Sequence, residues 1–266
     1  MKFDNVVNMD TRTVISGIPL GNFTANVVEF LNFIDFENSR SDIQKEFLIS
    51  ALTTGKEINT TEAIITFLTR LKSLYDLDVK QVPLDKMDDW IFDDKEIYRK
   101  DRRFFRVIPV EVEIESREVK KWHQPMVEPA QQGLSAIVCK VINGVLHVAV
   151  QAKLECGNHD IIEFAPTVQC LTGNYRTTKP GTLPFLEYVL NARADQIYYD
   201  TYQSEEGGRF FQEQNRNMII LADDTLPETL PENYIWMTLN QLYMFLRFNN
   251  FLNIQLRSLI AAIDYN

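Results

Sequence analysis

Leu134-Ser-Ala-Ile-Val-Cys-Lys-Val-Ile142 is followed by Asn143-Gly144 and then by Val145-Leu-His-Val-Ala-Val-Gln151. Two runs of strand-forming residues are thus joined by a two-residue turn. Asn-Gly is the pair that best tolerates the positive φ angles of a tight hairpin turn. The stretch therefore predicts a β-hairpin whose second arm is a buried strand. Working outward, Ile161–Ala165 reads as a further short strand. Upstream, Phe104–Ile108 leads on to 110–114, where alternation puts Val110, Val112 and Ile114 on one face.

Helical spacing takes over at both ends. Residues 22–80 read as helical, with one apolar stripe through Val27, Val28, Phe30, Leu31 and Ile34. A second stripe runs through Ile64, Ile65, Leu68, Leu71 and Leu74, with Thr60 or Thr61 as its N-cap. Ser39–Asp42 breaks the first stripe, and 53–60 reads as a loop. Leu183–Ala194 predicts a helix with Leu186, Val189 and Leu190 on one face. Phe210–Leu221 is expected to end as a strand. Trp236–Phe248 predicts a helix with Leu239, Leu242, Tyr243 and Leu246 inward. The fold class expected is α+β, with curled antiparallel and mixed strands and flanking helices.

Composition narrows the function classes. Hydrophobic residues make up 45% of the 266, with 17 Phe, which is ample for a packed core. No apolar run approaches membrane-spanning length and no leader opens the chain, so the expectation is a cytoplasmic protein without a membrane partner. Cys139, Cys156 and Cys170 are odd in number and irregularly spaced, which fits free thiols better than a disulfide frame or a zinc site. A net charge of -10 argues against nucleic acid as a partner. It leaves room for a small anionic ligand, because a few local cations decide that matter.

Three polar segments stand against this apolar background: 151–158, 166–175 and 203–210, the last running on to Asn215-Arg-Asn217. Each combines amide, hydroxyl or charged side chains with a Gly and adjoins a run expected to be buried. Polar groups concentrated near a core need partners, and a ligand is the usual one. Further pieces keep the same order. They are Val82-Pro-Leu84 leading to Trp90, Arg103–Val107, Trp122-His-Gln-Pro125, Gly144–His147, Trp236 with Thr238–Leu242, and Asn253-x-x-x-Arg257.

In these pieces the chain resembles the NDP-hexose 2,3-dehydratases over residues 60 to 266. It departs from the family pattern at Cys156, at Cys170–Gly173, at Glu206 and Gly208, and at 98–102. The resemblance implies a Nudix-like fold without the metal-binding helix of that fold, hence no metal and no cofactor. It also implies a tandem repeat, of which this chain would hold one complete copy. Residues 4–18 mirror 249–263 at a constant offset of 245, with identities at Asn5/Asn250, Asn8/Asn253, Arg12/Arg257, Ile15/Ile260 and Ile18/Ile263. The expected organisation is a first-repeat tail and linker over 1–58, then a dehydratase domain over 59–266. A homodimer, or a partner chain carrying the first repeat, would supply the second copy.

The implied substrate is dTDP-4-keto-6-deoxyglucose or a similar sugar nucleotide, which loses water across carbons 2 and 3. A base must take the carbon 3 proton and donors must hold the developing oxyanion. Glu155 is the first candidate, at a turn after a buried-type strand where desolvation would raise its pKa. Glu205 is the second and His147 a lesser one. Tyr175 suits a leaving-group acid or an enolate donor, and Lys153 a donor to enolate or diphosphate. Arg209 and Arg216 are expected as diphosphate clamps, because guanidinium forks match phosphate oxygens. Trp122 would stack on the base or pack the core. Gln124, Gln151, Asn158, Thr167, Gln169, Asn174, Gln203, Ser204, Asn215 and Asn217 complete the hydrogen-bonding set. The alternatives are a non-catalytic binding half of a split enzyme and, less favoured, a Nudix-type nucleotide-sugar hydrolase.

Overall fold

The structure is a computed structural model that describes residues 41–170, 181 and 183–265. The expected stripe at 27–34, the mirrored opening at 4–18, and Asn174 and Tyr175 lie outside them. Two helices come first, α1 (Asp42–Leu52) and α2 (Thr61–Leu74). Ser41 caps α1 with a reciprocal bond to Gln44, and Thr60 caps α2 by accepting from the Ala63 amide at 3.2 Å. A curled sheet follows, in the order β1 (Trp90–Phe92), β2 (Ile97–Arg99), β3 (Phe105–Glu113), β4 (Lys121–Pro129). The two short strands expected between 104 and 114 are one strand, since Pro109 sits opposite Pro125 without ending the pairing.

The main sheet has seven strands and the path β11-β6-β5-β10-β9. Its middle is the expected hairpin, β5 (Leu134–Ile142) and β6 (Val145–Leu154), with Asn143 and Gly144 both at positive φ. At their far ends β5 and β6 diverge. The short strands β7 (Ile162–Ala165) and β8 (Val168–Cys170) enter the gap, β7 pairing with β6 and β8 with β5. Thr167 closes the fork: its hydroxyl accepts from the Val138 amide at 2.9 Å and donates to the Ala149 carbonyl. A helical turn α3 (Leu186–Leu190) leads to β9 (Ile197–Ser204) and β10 (Gln214–Leu221). β10 is antiparallel to β9 and parallel to β5, so the sheet is mixed.

Two helix readings are corrected. Trp236–Thr238 belongs to strand β11 (Tyr234–Thr238), every residue of which is buried against β6. A run that short and apolar has no period to separate strand from helix. The helix α4 (Leu239–Phe245) starts only where Thr238 and Gln241 form a capping box, and Leu246, past its end, is 42% exposed. The helix expected over 183–194 shrinks to α3, because Phe185 at φ 64° precludes helix before it. Leu190 is consequently 44% exposed.

One face of the sheet packs on α1, α2, α4 and the last helix, α5 (Ile254–Ala261). Phe47 and Ala51 of α1 share that core with Ile64 and Leu68 of α2, so helices on both sides of residue 58 are packed in one core. All three cysteines are free, and burial pushes the Cys139 thiol well above its ordinary range. No helix among the described residues is long and apolar enough to cross a membrane.

Candidate active site

Two groups of carboxylate and amide side chains lie on either side of the α5 N-terminus. In the first, the Lys153 ammonium donates to Glu155 Oε1 at 3.0 Å. The Gln169 amide donates to the same oxygen at 3.1 Å. Gln169 Oε1 accepts from Asn253 Nδ2 at 2.7 Å, while Asn253 Oδ1 caps α5 by accepting from the Leu256 amide at 3.0 Å. A chain of bonds thus runs from a helix terminus to one carboxylate oxygen. Lys153 reaches it from β6, Gln169 from β8, and Glu155 stands in the turn just after β6.

The second group lies in the segment between β9 and β10. That segment is sewn to the small sheet: the Val127 amide donates to the Arg209 carbonyl and the Phe211 amide to the Val127 carbonyl, each at 2.7 Å. Between segment, β3–β4 and α5 opens a cleft of about 530 Å³. Gln203, Ser204, Arg209, Asn215 and Asn217, expected as ligand contacts, line it together with Glu205, expected as a catalytic carboxylate. Glu213, which the sequence reading did not select, lines it too. One carboxamide organises its acidic part. Asn215 Oδ1 accepts from the Gly133 amide at 2.6 Å, and Asn215 Nδ2 donates to Glu205 Oε1 at 2.9 Å and to Glu213 Oε1 at 3.3 Å.

Neither Glu205 nor Glu213 has an ion-pair partner among the described residues, since Arg209 pairs with Glu206 on the rim. Burial pushes the Glu213 carboxyl above its usual range. The Asn215 bond opposes that rise and the negative charge of Glu205 adds to it.

Other expected site residues are placed elsewhere. Arg216 alternates with Asn215 and Asn217 along β10 and so points to the opposite face, where it makes a bidentate pair with Asp200 at 2.8 and 2.6 Å. Arg209 and Arg216 therefore do not converge on one cleft. Trp122 donates to Gln124 at 2.7 Å, and Gln124 donates to the Gly208 carbonyl at 2.9 Å, bracing the rim segment. Thr167 is wholly buried in the fork. Gln151 lies between Tyr234 and Ala165 in the sheet, and the Asn158 amide nitrogen is buried without a partner among the described residues. His147 is at the other end of β6, its Nδ1 2.8 Å from the Val145 carbonyl, and burial lowers its pKa.

Two participants, Glu213 and Asn253, were passed over. No periodicity marks the first, since Gln212 to Asn217 are all polar. An Asn before the apolar spacing of α5 was the signal for the second.

With this geometry in view, comparison with known proteins is decisive at the level of family. The family model described as NDP-hexose 2,3-dehydratase matches residues 61–263. The chain belongs to that family. A dTDP-4-dehydro-6-deoxy-alpha-D-glucopyranose 2,3-dehydratase of Saccharopolyspora spinosa is 39% identical over 99% of this chain and 53% of its own length. Proteins of the same description from Streptomyces violaceoruber and Amycolatopsis orientalis are 37% and 32% identical, again over 99% of this chain, and over 54% and 50% of theirs. This dehydratase-family chain spans about half the length of the curated relatives it matches. Among solved structures, one described as an ADP compounds hydrolase aligns with 70% of this chain and 89% of its own, with a TM-score of 0.38 and 14% identity.

Proposed function

We propose that the chain removes water across carbons 2 and 3 of a dTDP-4-keto-6-deoxyhexose, giving a 3,4-diketo-2,6-dideoxy sugar nucleotide. The observation that carries this reading is the match to relatives named for that substrate and reaction, together with a cleft whose lining includes amide and carboxylate side chains. The carbon 3 hydrogen is acidic because the carbon 4 carbonyl takes up the charge as an enolate. A carboxylate can remove it, amide and hydroxyl donors can hold the sugar, and no electrons are exchanged with a cofactor. Arg209, on the cleft wall over the Phe210 ring, is the cation placed to meet a diphosphate. The working partner in this proposal is a second copy of the fold, in a homodimer or on a separate chain.

The test is incubation of the full chain with dTDP-4-keto-6-deoxyglucose in deuterated water, read by mass spectrometry. The mass of one water is lost, offset by deuterium taken up on carbon, if the proposal holds. Unchanged substrate that still raises the melting temperature would instead make the chain a binding half, and unchanged substrate with no thermal shift would remove the sugar nucleotide from consideration.

A further inference from the structure

Resting on that reading, we infer that Glu205 and Glu213, bridged by Asn215, are the proton-transfer pair of the dehydration. In this assignment Glu155 is a positioning residue. Carbons 2 and 3 are bonded neighbours, so the groups serving them must converge within a few ångströms. The two carboxylate groups of the site do not. Gln169 on β8, Ser135 on β5 and Asn217 on β10 stand side by side in one row across three strands. Adjacent strands are spaced at roughly 4.8 Å, which separates the ends of that row by about 10 Å. Glu155 is bonded to the side chain at one end, and Asn215, two residues before Asn217 on β10, holds Glu205 and Glu213 near the other. We assign the reacting carbons to one of the two groups.

Charge decides between them. Glu155 Oε1 is occupied by the Lys153 ammonium and the Gln169 amide, so that oxygen is already engaged within the fold. The other pair holds two carboxyls on one amide nitrogen, and neither has an ion-pair partner among the described residues. Glu213 is only 8% exposed, yet it lines the cleft. A separate observation points to a ligand here. Ser135 is 1% exposed, its hydroxyl has no hydrogen-bond partner among the described residues, and it shares a face with its neighbour Asn217, which lines the cleft. A buried hydroxyl left unsatisfied beside a cleft of this size is a donor awaiting a polar guest.

The steps balance without another reactant. Ionised Glu205 takes the carbon 3 proton, and the C–H electron pair moves toward carbon 4 to form the enolate. The enolate electrons return to form the C2–C3 double bond as the C2–O bond breaks. The departing hydroxide takes the Glu213 proton and leaves as water. Glu205 then gives its proton to carbon 2 while the carbon 3 enol O–H passes its proton to Glu213. Both carboxyls are reset.

The roles are separable by isotope. With the full chain and dTDP-4-keto-6-deoxyglucose in deuterated water, Glu205→Gln should lose both carbon 3 exchange and dehydration, by about 10²–10⁴-fold. Glu213→Gln should keep exchange and lose water elimination by a similar factor. Melting curves run in parallel identify any variant that fails to fold, and Glu205→Gln then carries the test. Dehydration by either folded variant within threefold of the parent overturns the inference while leaving the proposed function intact. A parent chain that neither exchanges nor dehydrates overturns both.

Discussion

Glu155 and Glu213 are the same residue type, each held by an amide, on two sides of one helix terminus, yet their surroundings differ. Glu155 is neutralised by Lys153 and tied through Gln169 to the Asn253 cap. Glu213 has no ion-pair partner among the described residues, another carboxyl close by, and greater burial. A compensated carboxylate stabilises a shape. An uncompensated one is held in a state that a reaction can discharge, and its cost is tolerated only where the site needs it.

Removing the shared amide should break this contrast most severely. Asn215→Leu leaves the Gly133 amide without its acceptor and the two glutamates without their bridge. Turnover on dTDP-4-keto-6-deoxyglucose is expected to fall on the order of 10²–10³-fold, measured as kcat/KM. A loss below threefold would mean that the bridge is incidental. Next in size is Thr167→Val, which opens the fork by orphaning the Val138 amide and the Ala149 carbonyl. A destabilisation of about 3 kcal/mol is expected in urea titration, and an undiminished midpoint would deny Thr167 its structural role.

Asn253 sharpens the comparison from the other side. Its replacement by Ala should cost about 1 kcal/mol of stability through the lost cap. Asn253→Asp should restore the cap but not the donor to Gln169. If Glu155 only positions, both variants raise KM more than they lower kcat. An equal fall of kcat in both would argue that the Glu155 group reacts.

How much of this was legible follows from the physics of each signal. The β5–β6 hairpin was plain because Asn143-Gly144 fixes its turn locally, and the Thr60 cap because capping is decided within four residues. Strand β9 escaped notice since Tyr199, Thr201 and Tyr202 lie on an edge where burial imposes no alternation. Cleft residues from Gln203 to Asn217 were selected because polar groups stood out beside the apolar run 218–221. Glu213 looked like a solvated charge in a Gln-Glu-Gln sequence. It is buried where the segment before β10 is bonded to Val127 of β4, a pairing between residues about eighty apart that no local pattern encodes. Arg216 was expected to join Arg209 because both are cations in one segment, whereas strand alternation puts it on the opposite face from Asn215 and Asn217.

The smallest effect concerns pH. Burial raises the folded-state pKa of Glu213 above the ordinary carboxylate value, so its contribution to stability is complete below that ordinary value. It is lost as pH rises through the raised one. Glu46, raised chiefly by burial, has the same sign. Relative to the parent, Glu213→Gln should therefore gain stability as pH increases from 4 to 7 in thermal melts. A difference that is flat across this range would contradict the environment assigned to Glu213.

The most direct measurement is the single-turnover rate of water loss from dTDP-4-keto-6-deoxyglucose in Glu213→Gln and Glu155→Gln side by side at saturating substrate. The account predicts a fall of about 10²-fold or more in the first and no more than about tenfold in the second. The reverse order would place the chemistry at Glu155 and make the carboxyl pair in the cleft the bystander.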